Sequence, residues 1–487
     1  MRKILSVLVV LLIPACGKDN IVVVPEPIAI ASSIKDLPQR FEWARTTALS
    51  YAHDGADSVG LWYEAALPGR DAFCMRDVSH QALGAHFLGL DEHTRNMLFQ
   101  FARNISEGKD WCSFWEITKN GVPAPVDYRN DEEFWYNLPS NFDVLDASYR
   151  MYQWTGDPTY IEHPAFLTFY EKTVTDYVET WDLGAENVLT RSRYMNRDSF
   201  DLADPYQYAR GIPSYNESHV GSVRVGIDLL AFQVAAYRSY AAVLQKNGQP
   251  SKSEEMLSRA VRASNLISEA FWKEDVGHFS DMLMENGQTT MGGGMQTYLL
   301  YNDAISDLSK AKLVASNVAS SDPGNIEMQS YVPEVLYRYG LHGEALDMLM
   351  RISADSTDRR TYPEVSFSVI GALATGLMGL SPIDKGLASI SRISTEDDWV
   401  ELKNVPHLKS IISLKHTGTS SSTFTVLSGE KLIWRAVFAG SHPELMVQGR
   451  KLRATESFDH LGNPISFIEI EAYPLENITV STLVANK

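Results

Sequence analysis

The stretch VSHQALGAHFLGLDEHTRNMLFQFARNIS, residues 78–106, contains the pattern that decides the fold. Apolar residues recur in it at spacings of three and four, which is the spacing of one face of an α-helix. The tripeptide Gly89-Leu90-Asp91 interrupts that pattern and reads as a tight turn. The stretch therefore predicts two helices, over residues 78–89 and 92–106, that form a helical hairpin.

The same unit recurs along residues 39–380. Short turns close the hairpins at one end, and the connections at the other end are mostly long and rich in aromatic residues. This layout predicts six hairpins closed into an (α/α)6 barrel, with the functional residues at the long-loop end. The predicted helices span residues 39–55, 78–89, 92–106, 139–154, 158–181, 219–247, 251–273, 292–303, 308–318, 326–340, 342–353 and 363–378.

The last part of the chain, residues 381–487, has a different pattern. Alternating apolar and polar runs are separated by clusters of Gly, Ser, Asn and Pro, which predicts a small antiparallel β domain. Trp434, Phe438 and Phe467 are expected in the core of this β-sandwich-like domain rather than on a sugar. The predicted fold class is therefore mainly α, an (α/α)6 barrel followed by a small C-terminal β domain.

The N-terminus carries a targeting pattern. Arg2 and Lys3 precede an apolar run over residues 4–13, which is too short to span ~30 Å of hydrocarbon as a helix. This arrangement is typical of a secretory signal peptide. The segment that ends at Cys16 resembles a bacterial lipobox, which implies removal of residues 1–15 and lipidation of Cys16. We therefore expect a tether over residues 16–38 and a lipid-anchored protein in the bacterial cell envelope, on the outer membrane surface or in the periplasm.

The charge balance restricts the possible partners. The chain has 487 residues, with 43 Lys and Arg against 61 Asp and Glu, a formal net charge of −18. Such a surface repels phosphate backbones and anionic lipid headgroups. We therefore expect no nucleic-acid partner, and contact with a membrane only through the lipid anchor.

Motifs for metals and cofactors are absent from the sequence, which contains no H-E-x-x-H and no paired C-x-x-C. We therefore expect no metal and no organic cofactor. Apart from Cys16 the chain has two cysteines, Cys74 and Cys112. A single disulfide between them and two buried thiols are both compatible with the sequence.

The first two long loops contain candidate sugar-binding residues. The pair Arg76-Asp77 could grip adjacent sugar hydroxyls, the guanidinium donating and the carboxylate accepting, although Asp77 could instead be an N-cap. The second loop holds three of the ten tryptophans, and a loop has little core to fill. We interpret these residues as a platform on which sugar rings stack. The predicted substrate-binding residues in this loop are Trp111, Trp115, Asp127 and Trp135.

The third long loop contains the candidate general acid. Cleavage of a glycoside needs an acid that protonates the leaving oxygen, and a carboxyl flanked by aromatic residues has the raised pKa that suits this role. Glu217, which follows the predicted substrate-binding residue Tyr215, is the first candidate. Asp201 and Asp204 are the alternatives, and Glu217 could also merely stabilise the start of a helix.

The candidate general base, Glu364, follows Pro363 in the last long connection. Proline fits the first helical turn, which places the carboxylate beside the positive helix end and keeps it ionised, as a base must be. For inversion, the acid and the base should stand ~6.5–9.5 Å apart across one cavity.

Several of these stretches together resemble the six-hairpin glycosidase superfamily over about residues 39–380, in particular its trehalase, processing α-glucosidase and glucoamylase branches. Arg76-Asp77 resembles the pair that holds the terminal sugar there. The run MRDVSHQ, residues 75–81, is similar to the W-L-R-D-S-A-N-Q stretch of exo-α-mannosidases with the same barrel.

The resemblance extends to both candidate catalytic residues. Glu217-Ser218 and the later Asp228-Leu229 resemble the S-G-x-D and D-L-N segments of trehalases, in which the first acidic residue is the general acid. This chain has Tyr215-Asn216-Glu217 in place of S-G-x-D. Glu364 and the residues after it are similar to the E-G-F-G run that carries the trehalase base.

The resemblance implies a glycoside hydrolase that releases a terminal, α-linked sugar from an oligosaccharide by inversion. Two alternatives stay open. One is an unsaturated-uronide hydrolase or a lyase on the same fold, which would need basic residues for a substrate carboxylate. The other is a non-catalytic glycan-binding lipoprotein. The basic residues available to the first alternative are Arg191, Arg193, Arg359 and Arg360.

Overall fold

The computed structural model describes residues 26–192, 195–196, 208–217, 222–292, 294–321 and 324–483. The predicted signal peptide, the lipidation residue Cys16, the alternative acids Asp201 and Asp204, and Arg193 lie outside these residues. Within them, no helix combines the length and the hydropathy that crossing a bilayer requires.

Fourteen α-helices form within the described residues, and a π-helical segment over Ala372–Leu377 extends the last of them. They are α1 Leu37–Ser50, α2 Met75–Phe87, α3 Asp91–Arg103, α4 Pro139–Thr155, α5 Thr159–Glu162, α6 Pro164–Val174, α7 Asp176–Thr180, α8 Ile227–Lys246, α9 Pro250–Ala270, α10 Gln296–Tyr301, α11 Leu308–Ser320, α12 Ile326–Arg338, α13 His342–Ile352 and α14 Pro363–Gly371.

The helices form two concentric layers. Helices α2, α4, α8, α10, α12 and α14 pack side by side in a ring that closes where α14 meets α2. Helices α1, α3, α6, α9, α11 and α13 pack around them. The layers differ in composition, since α8 is buried on nearly all sides and α9 along one face. This arrangement confirms the predicted (α/α)6 barrel.

Two predicted helices differ most from the structure. The helix predicted over 158–181 is divided into α5, α6 and α7. His163, which is extended before Pro164, separates α5 from α6, and the non-helical Thr175 separates α6 from α7. The helix predicted over 219–247 begins at Ile227, because Val223–Gly226 forms a strand that pairs with Met282–Met284. Glu217 therefore does not lie at a helix start.

The strands fall into two groups, with β2–β14 in the loops of the barrel and the others in the C-terminal domain. They are β1 Ala29–Ser32, β2 Ala52–Asp54, β3 Leu61–Tyr63, β4 Ala72–Cys74, β5 Glu116–Thr118, β6 Tyr128–Asn130, β7 Glu133–Phe134, β8 Tyr136–Asn137, β9 Arg210–Ile212, β10 Val223–Gly226, β11 Trp272–Lys273, β12 His278–Phe279, β13 Met282–Met284, β14 Thr289–Thr290, β15 Ser381–Ile383, β16 Gly386–Ile390, β17 Trp399–His407, β18 Ser410–Thr417, β19 Ser421–Ser428, β20 Leu432–Ala439, β21 Glu444–Val447, β22 Arg450–Arg453, β23 Thr455–Phe458, β24 Pro464–Ala472 and β25 Asn477–Thr482.

The C-terminal domain consists of two sheets. One has the strand order β1-β17-β18-β19-β25-β21-β22 and the other β15-β16-β20-β24-β23. The pair β16–β20 is parallel, whereas neighbours such as β17–β18 and β20–β24 are antiparallel. Phe424 of β19 stacks on Trp434 of β20 with ring centroids 5.0 Å apart, so the two sheets share a core. Trp434 and Phe438 are buried in it as expected, whereas Phe467 is half-buried beneath Arg435.

The segment predicted as a tether, residues 16–38, is partly folded. Ala29–Ser32 forms β1 at the edge of the larger sheet, where Ala29 pairs with Lys403 and Ser32 with Val400. Ile28 is buried against the core, and this apolar side chain explains why the strand stays on the domain. A tether can therefore include at most the residues before this strand.

Gly84 permits the close packing of α2 on α14. A Cβ atom at this position would collide with the carbonyl oxygen of Phe367. Arg76, His80 and Glu364 lie on these two helices, so this contact sets the distance between them.

We predict that G84A lowers the stability of the protein by ~1–3 kcal/mol, because the added methyl group overpacks the contact between the two helices. This loss exceeds the gain of about 1 kcal/mol in helix propensity. The control is G343A on α13, where an added Cβ meets no atom within 4 Å. The midpoint of unfolding of this variant should equal that of wild type or be higher. Thermal and urea unfolding measure both variants, and equal midpoints for the two would contradict the close packing.

Candidate active site

A cavity of about 330 Å³ opens at the end of the barrel where α2, α12 and α14 begin. This is the predicted long-loop end, and the volume is that of a site for a small molecule. Larger cavities lie elsewhere in the chain, but this one joins several carboxyl groups to aromatic walls. It is lined by the acidic residues Asp77, Glu116, Asp127, Glu217 and Glu327, by Arg70 and Arg76, by Trp115, Trp135 and Tyr362, and by Ala66, Leu67, Cys74 and Val126.

The guanidinium of Arg76 links the carboxylates on one side of the cavity. Its Nη2 atom lies 3.0 Å from Asp77 Oδ1, 2.8 Å from Glu327 Oε2 and 3.9 Å from Glu364 Oε2. Tyr362 donates a hydrogen bond of 2.8 Å to Asp77 Oδ2. Asp77 is therefore held in an ion pair and is not the N-cap of α2, a position that Cys74 occupies.

Glu327 is a site residue that the sequence analysis missed. It lies in the first turn of α12, where Asn325 caps the helix by accepting a hydrogen bond from the Met328 N–H. Arg359 makes a second ion pair with it, at 3.1 Å. Burial raises the pKa of Glu327, but the charges of Arg76 and Arg359 outweigh that effect and leave the pKa below its ordinary value. Glu327 is therefore ionised at neutral pH.

The loop that carries Glu217 is fixed by Asp228, a buried residue in the first turn of α8. Asp228 Oδ2 accepts a hydrogen bond of 2.6 Å from the Tyr215 N–H, and Oδ1 accepts one of 2.9 Å from the Ser214 hydroxyl. The resemblance to the D-L-N segment thus falls on a residue that positions the loop of the candidate acid.

The carboxyl group of Glu217 is held from the side by Asn137. Asn137 Nδ2 donates to Glu217 Oε1 at 3.0 Å, and Trp135 Nε1 donates to Asn137 Oδ1 at 2.8 Å. Burial raises the pKa of Glu217 to about 7, against the opposing effects of Arg76 and Asn137. A large fraction of Glu217 is therefore protonated at neutral pH.

Asp127 lines the cavity beside a second arginine. Arg70 Nη1 lies 2.8 Å from Glu116 Oε2 and 3.7 Å from Asp127 Oδ2. Burial and the charge of Glu116 raise the pKa of Asp127 to about 8. Asp127 therefore faces the cavity as a neutral carboxyl group that can donate a hydrogen bond.

Glu364, the predicted base, does not line this cavity. Its side chain is completely buried, and Oε1 lies 2.7 Å from His80 Nδ1. His80 in turn stacks on Tyr331 with ring centroids 3.5 Å apart. Burial raises the pKa of Glu364 to about 8, so the group is mostly neutral at pH 7.

The predicted aromatic residues take different places. Trp115 and Trp135 line the cavity. Trp111 does not, because positive φ angles at Asp110 and Trp111 turn the chain, and the Trp111 ring packs under the ammonium of Lys172 at 4.5 Å. Tyr215 is buried beneath the cavity and donates a hydrogen bond of 3.1 Å to Asp143 Oδ2, with its ring 6.3 Å from that of Trp115.

The two cysteines are separate buried thiols. Burial raises the pKa of both Cys74 and Cys112, which keeps them protonated and unreactive. Within the described ranges, no group of three or more His, Cys, Asp and Glu side chains is arranged to hold a metal ion.

No protein-family model and no curated protein matches the chain. Several solved structures share its fold. An α-L-rhamnosidase from Dictyoglumus thermophilum matches with a TM-score of 0.60 and 13% identity, over 94% of this chain and 51% of that one. A GH78 family rhamnosidase of Bacillus sp. GL1 matches with a TM-score of 0.56 and 14% identity, over 82% of this chain and 40% of that one. A putative kojibiose phosphorylase from the human microbiome matches with a TM-score of 0.51 and 11% identity, over 91% of this chain and 63% of that one.

The chain therefore spans about half the length of the two rhamnosidases. Identities this low show a shared architecture, a helical barrel followed by a β domain. The shared architecture agrees with the fold class predicted from the helical hairpins.

We predict that E364Q becomes more stable relative to wild type as the pH rises. The pKa of Glu364 is raised from 4.5 to about 8, so the folded chain keeps a proton that the unfolded chain releases. Wild type loses stability over this range, whereas Gln cannot ionise. Thermal unfolding from about pH 5 to about pH 8 measures the difference, with the exposed E254Q on α9 as the control. A difference between E364Q and wild type that does not change with pH would contradict the burial of an ionisable group at this position.

Proposed function

We propose that the protein is a glycoside hydrolase that releases a terminal, α-linked sugar from an oligosaccharide with inversion. The proposal rests on one observation. Glu217 and Glu327 line the same cavity, and their pKa values are shifted in opposite directions. The pKa of Glu217 is raised to about 7, and that of Glu327 is lowered below 4.5. A pair of carboxyl groups whose pKa values are pushed apart is the arrangement that acid and base catalysis requires.

In the proposed reaction Glu217 transfers its proton to the glycosidic oxygen as the bond from that oxygen to the anomeric carbon breaks. Glu327 accepts a proton from a water molecule, and the oxygen of that water bonds to the anomeric carbon from the opposite face. The aglycone leaves as an alcohol and the sugar is released with inverted configuration. Glu327 thus takes the role that the sequence analysis assigned to Glu364.

The remaining lining residues bind the sugar. Asp77, which Arg76 and Tyr362 hold in place, and Asp127 both line the cavity, and the neutral Asp127 can donate a hydrogen bond to a sugar hydroxyl. Trp115 and Trp135 offer flat apolar faces on which a sugar ring can stack. The solved structures of similar fold include rhamnosidases and a sialidase, which supports a carbohydrate substrate.

A neutral sugar fits the cavity better than a uronide. Arg70 and Arg76, which line it, are both paired with carboxylates, and Arg359 is paired with Glu327. Arg191 donates to the main-chain carbonyls of Trp181 and Arg224, away from the cavity. The acidic-substrate alternative therefore has less support than hydrolysis of a neutral glycoside.

The cellular location is part of the proposal. We infer a lipid-anchored protein of the bacterial cell envelope from the signal-like residues 1–15 and from Cys16. The net charge of −18 disfavours direct binding of nucleic acid or anionic lipid. The anchor at Cys16 would then be the means of membrane attachment.

We predict that E217Q and E327Q each reduce turnover by about 10²- to 10⁴-fold, because each loses one proton-transfer group. E364Q should retain activity to within about tenfold, because its side chain does not reach the cavity. Sugar release from a panel of α- and β-linked oligosaccharides measures the three variants. Proton NMR of the first-formed anomer should show inversion.

Two results would contradict this assignment in different ways. If E364Q loses activity and E327Q keeps full activity, the general base is Glu364 and not Glu327. If none of the panel is cleaved and sugar affinity is equal in wild type and E217Q, the protein is the non-catalytic glycan binder.

We predict a bell-shaped pH dependence of kcat/KM. Activity falls above about pH 7 as Glu217 loses its proton, and it falls at acidic pH as Glu327, whose pKa lies below its ordinary value, gains one. Residual activity of E217Q should lack the alkaline limb, because Gln does not titrate. An activity that rises steadily from neutral to alkaline pH would contradict Glu217 as the acid.

A further inference from the structure

A second cavity, of about 560 Å³, lies at the opposite end of the barrel, between the far ends of the inner helices and the C-terminal β domain. Residues from α4, α8, α12 and the segment after α14 line it, together with residues of β15 and β16. Its volume exceeds that of the candidate active site and is typical of a site for a small molecule. Its charged lining residues are Arg150, Arg238, Arg338 and Arg392 and the acidic Asp146, Asp303 and Glu334.

Two of these arginines are neutralised by carboxylates. Arg150 Nε lies 2.9 Å from Asp146 Oδ2. Arg338 makes ion pairs with Glu334 at 2.9 Å and with Asp303 at 3.2 Å. The three carboxylates of the cavity are thereby all engaged.

The other two arginines are held by main-chain carbonyls. Arg392 Nη1 donates to Thr375 O at 2.7 Å and to Gly376 O at 2.8 Å. Arg238 Nη1 donates to Asp303 O at 2.8 Å. These carbonyls lie at or near carboxyl ends of helical segments, whose partial charge of about −0.5 offsets only part of each guanidinium charge. For the part of the chain that the structure describes, neither guanidinium has a carboxylate within 4 Å.

Burial and the positive charges of the arginines lower the pKa values of two groups at or near the cavity. Burial and the charge of Arg338 lower the pKa of Arg392 to about 10. Burial and the charge of Arg392 lower the pKa of His342 to about 4. Four arginines against three carboxylates give the lining a formal excess of one positive charge, in a chain whose net charge is −18. A negatively charged ligand bound in the cavity would neutralise this excess charge.

We propose that this cavity binds a small ligand through an oxyanion group, a carboxylate, phosphate or sulfate, and that Arg392 and Arg238, which both line the cavity, supply the positive charge for it. The planar guanidinium group presents paired N–H donors that match the two oxygens of such a group. In both arginines the hydrogen bonds to the carbonyls use Nη1, which leaves Nη2 and Nε for the ligand. The site is independent of the proposed hydrolysis, which takes place at the other end of the barrel.

Thermal unfolding at constant ionic strength tests the proposal with inorganic phosphate and glucuronate as the probes, and with chloride and glucose as the negative controls. The melting temperature of wild type should rise with the concentration of at least one oxyanion and reach saturation. In R392Q and R238Q the apparent affinity should fall about tenfold or more, because each loses a charge-assisted hydrogen bond. R435Q, an arginine on an exposed face of the β domain, should respond like wild type.

The probes also identify the source of the oxyanion. A response to phosphate as strong as that to glucuronate would indicate a free inorganic ion or a phosphorylated ligand, and a response to glucuronate alone would indicate a sugar acid. Two results would overturn the site. One is no saturable rise with either probe, and the other is a rise in both R392Q and R238Q that equals that of wild type. Arg238 lies at the exposed mouth of the cavity, so R238Q remains informative if R392Q does not fold.

Discussion

The ion pairs of one guanidinium govern the chemistry of the candidate active site. Arg76 lies within 4 Å of Asp77, Glu327 and Glu364, three carboxyl groups whose pKa burial raises. One positive charge cannot neutralise three negative ones. The second arginine, Arg359, adds its charge to Glu327 alone, so Glu327 stays ionised while the pKa of Glu364 rises to about 8. The distribution of arginines thus decides that Glu327, rather than Glu364, is the ionised carboxyl group at neutral pH.

The barrel brings these groups together from distant parts of the chain. Arg76, Glu327 and Glu364 all lie in first turns of inner helices, and those helices begin at the same end of the ring. The positive ends of the helices favour carboxylates there. Gly84 allows α2 and α14 to approach each other, and Asp228 fixes the loop that brings Glu217 to the cavity. The packing of the helices and the positions of the proposed acid and base therefore depend on the same contacts.

Much of this arrangement could be predicted from the sequence, because helical spacing, tight turns and alternating strands are local signals. The six hairpins, the β domain and the long-loop end follow from them. That Glu327 lines the cavity and Glu364 does not could not be predicted, since both are acidic residues in a first helical turn and they differ in burial. Trp111 is a similar case, because local composition does not show that positive φ angles turn its ring toward Lys172.

The central claim is that, in one cavity, Glu217 has a raised pKa and Glu327 has a lowered one. Carboxylate-carbon NMR of the protein labelled with ¹³C at its glutamates measures this directly, with E217Q and E327Q to assign the two signals. The account predicts a midpoint near 7 for Glu217 and one below 4.5 for Glu327. Equal midpoints, or a higher midpoint for Glu327 than for Glu217, would contradict it.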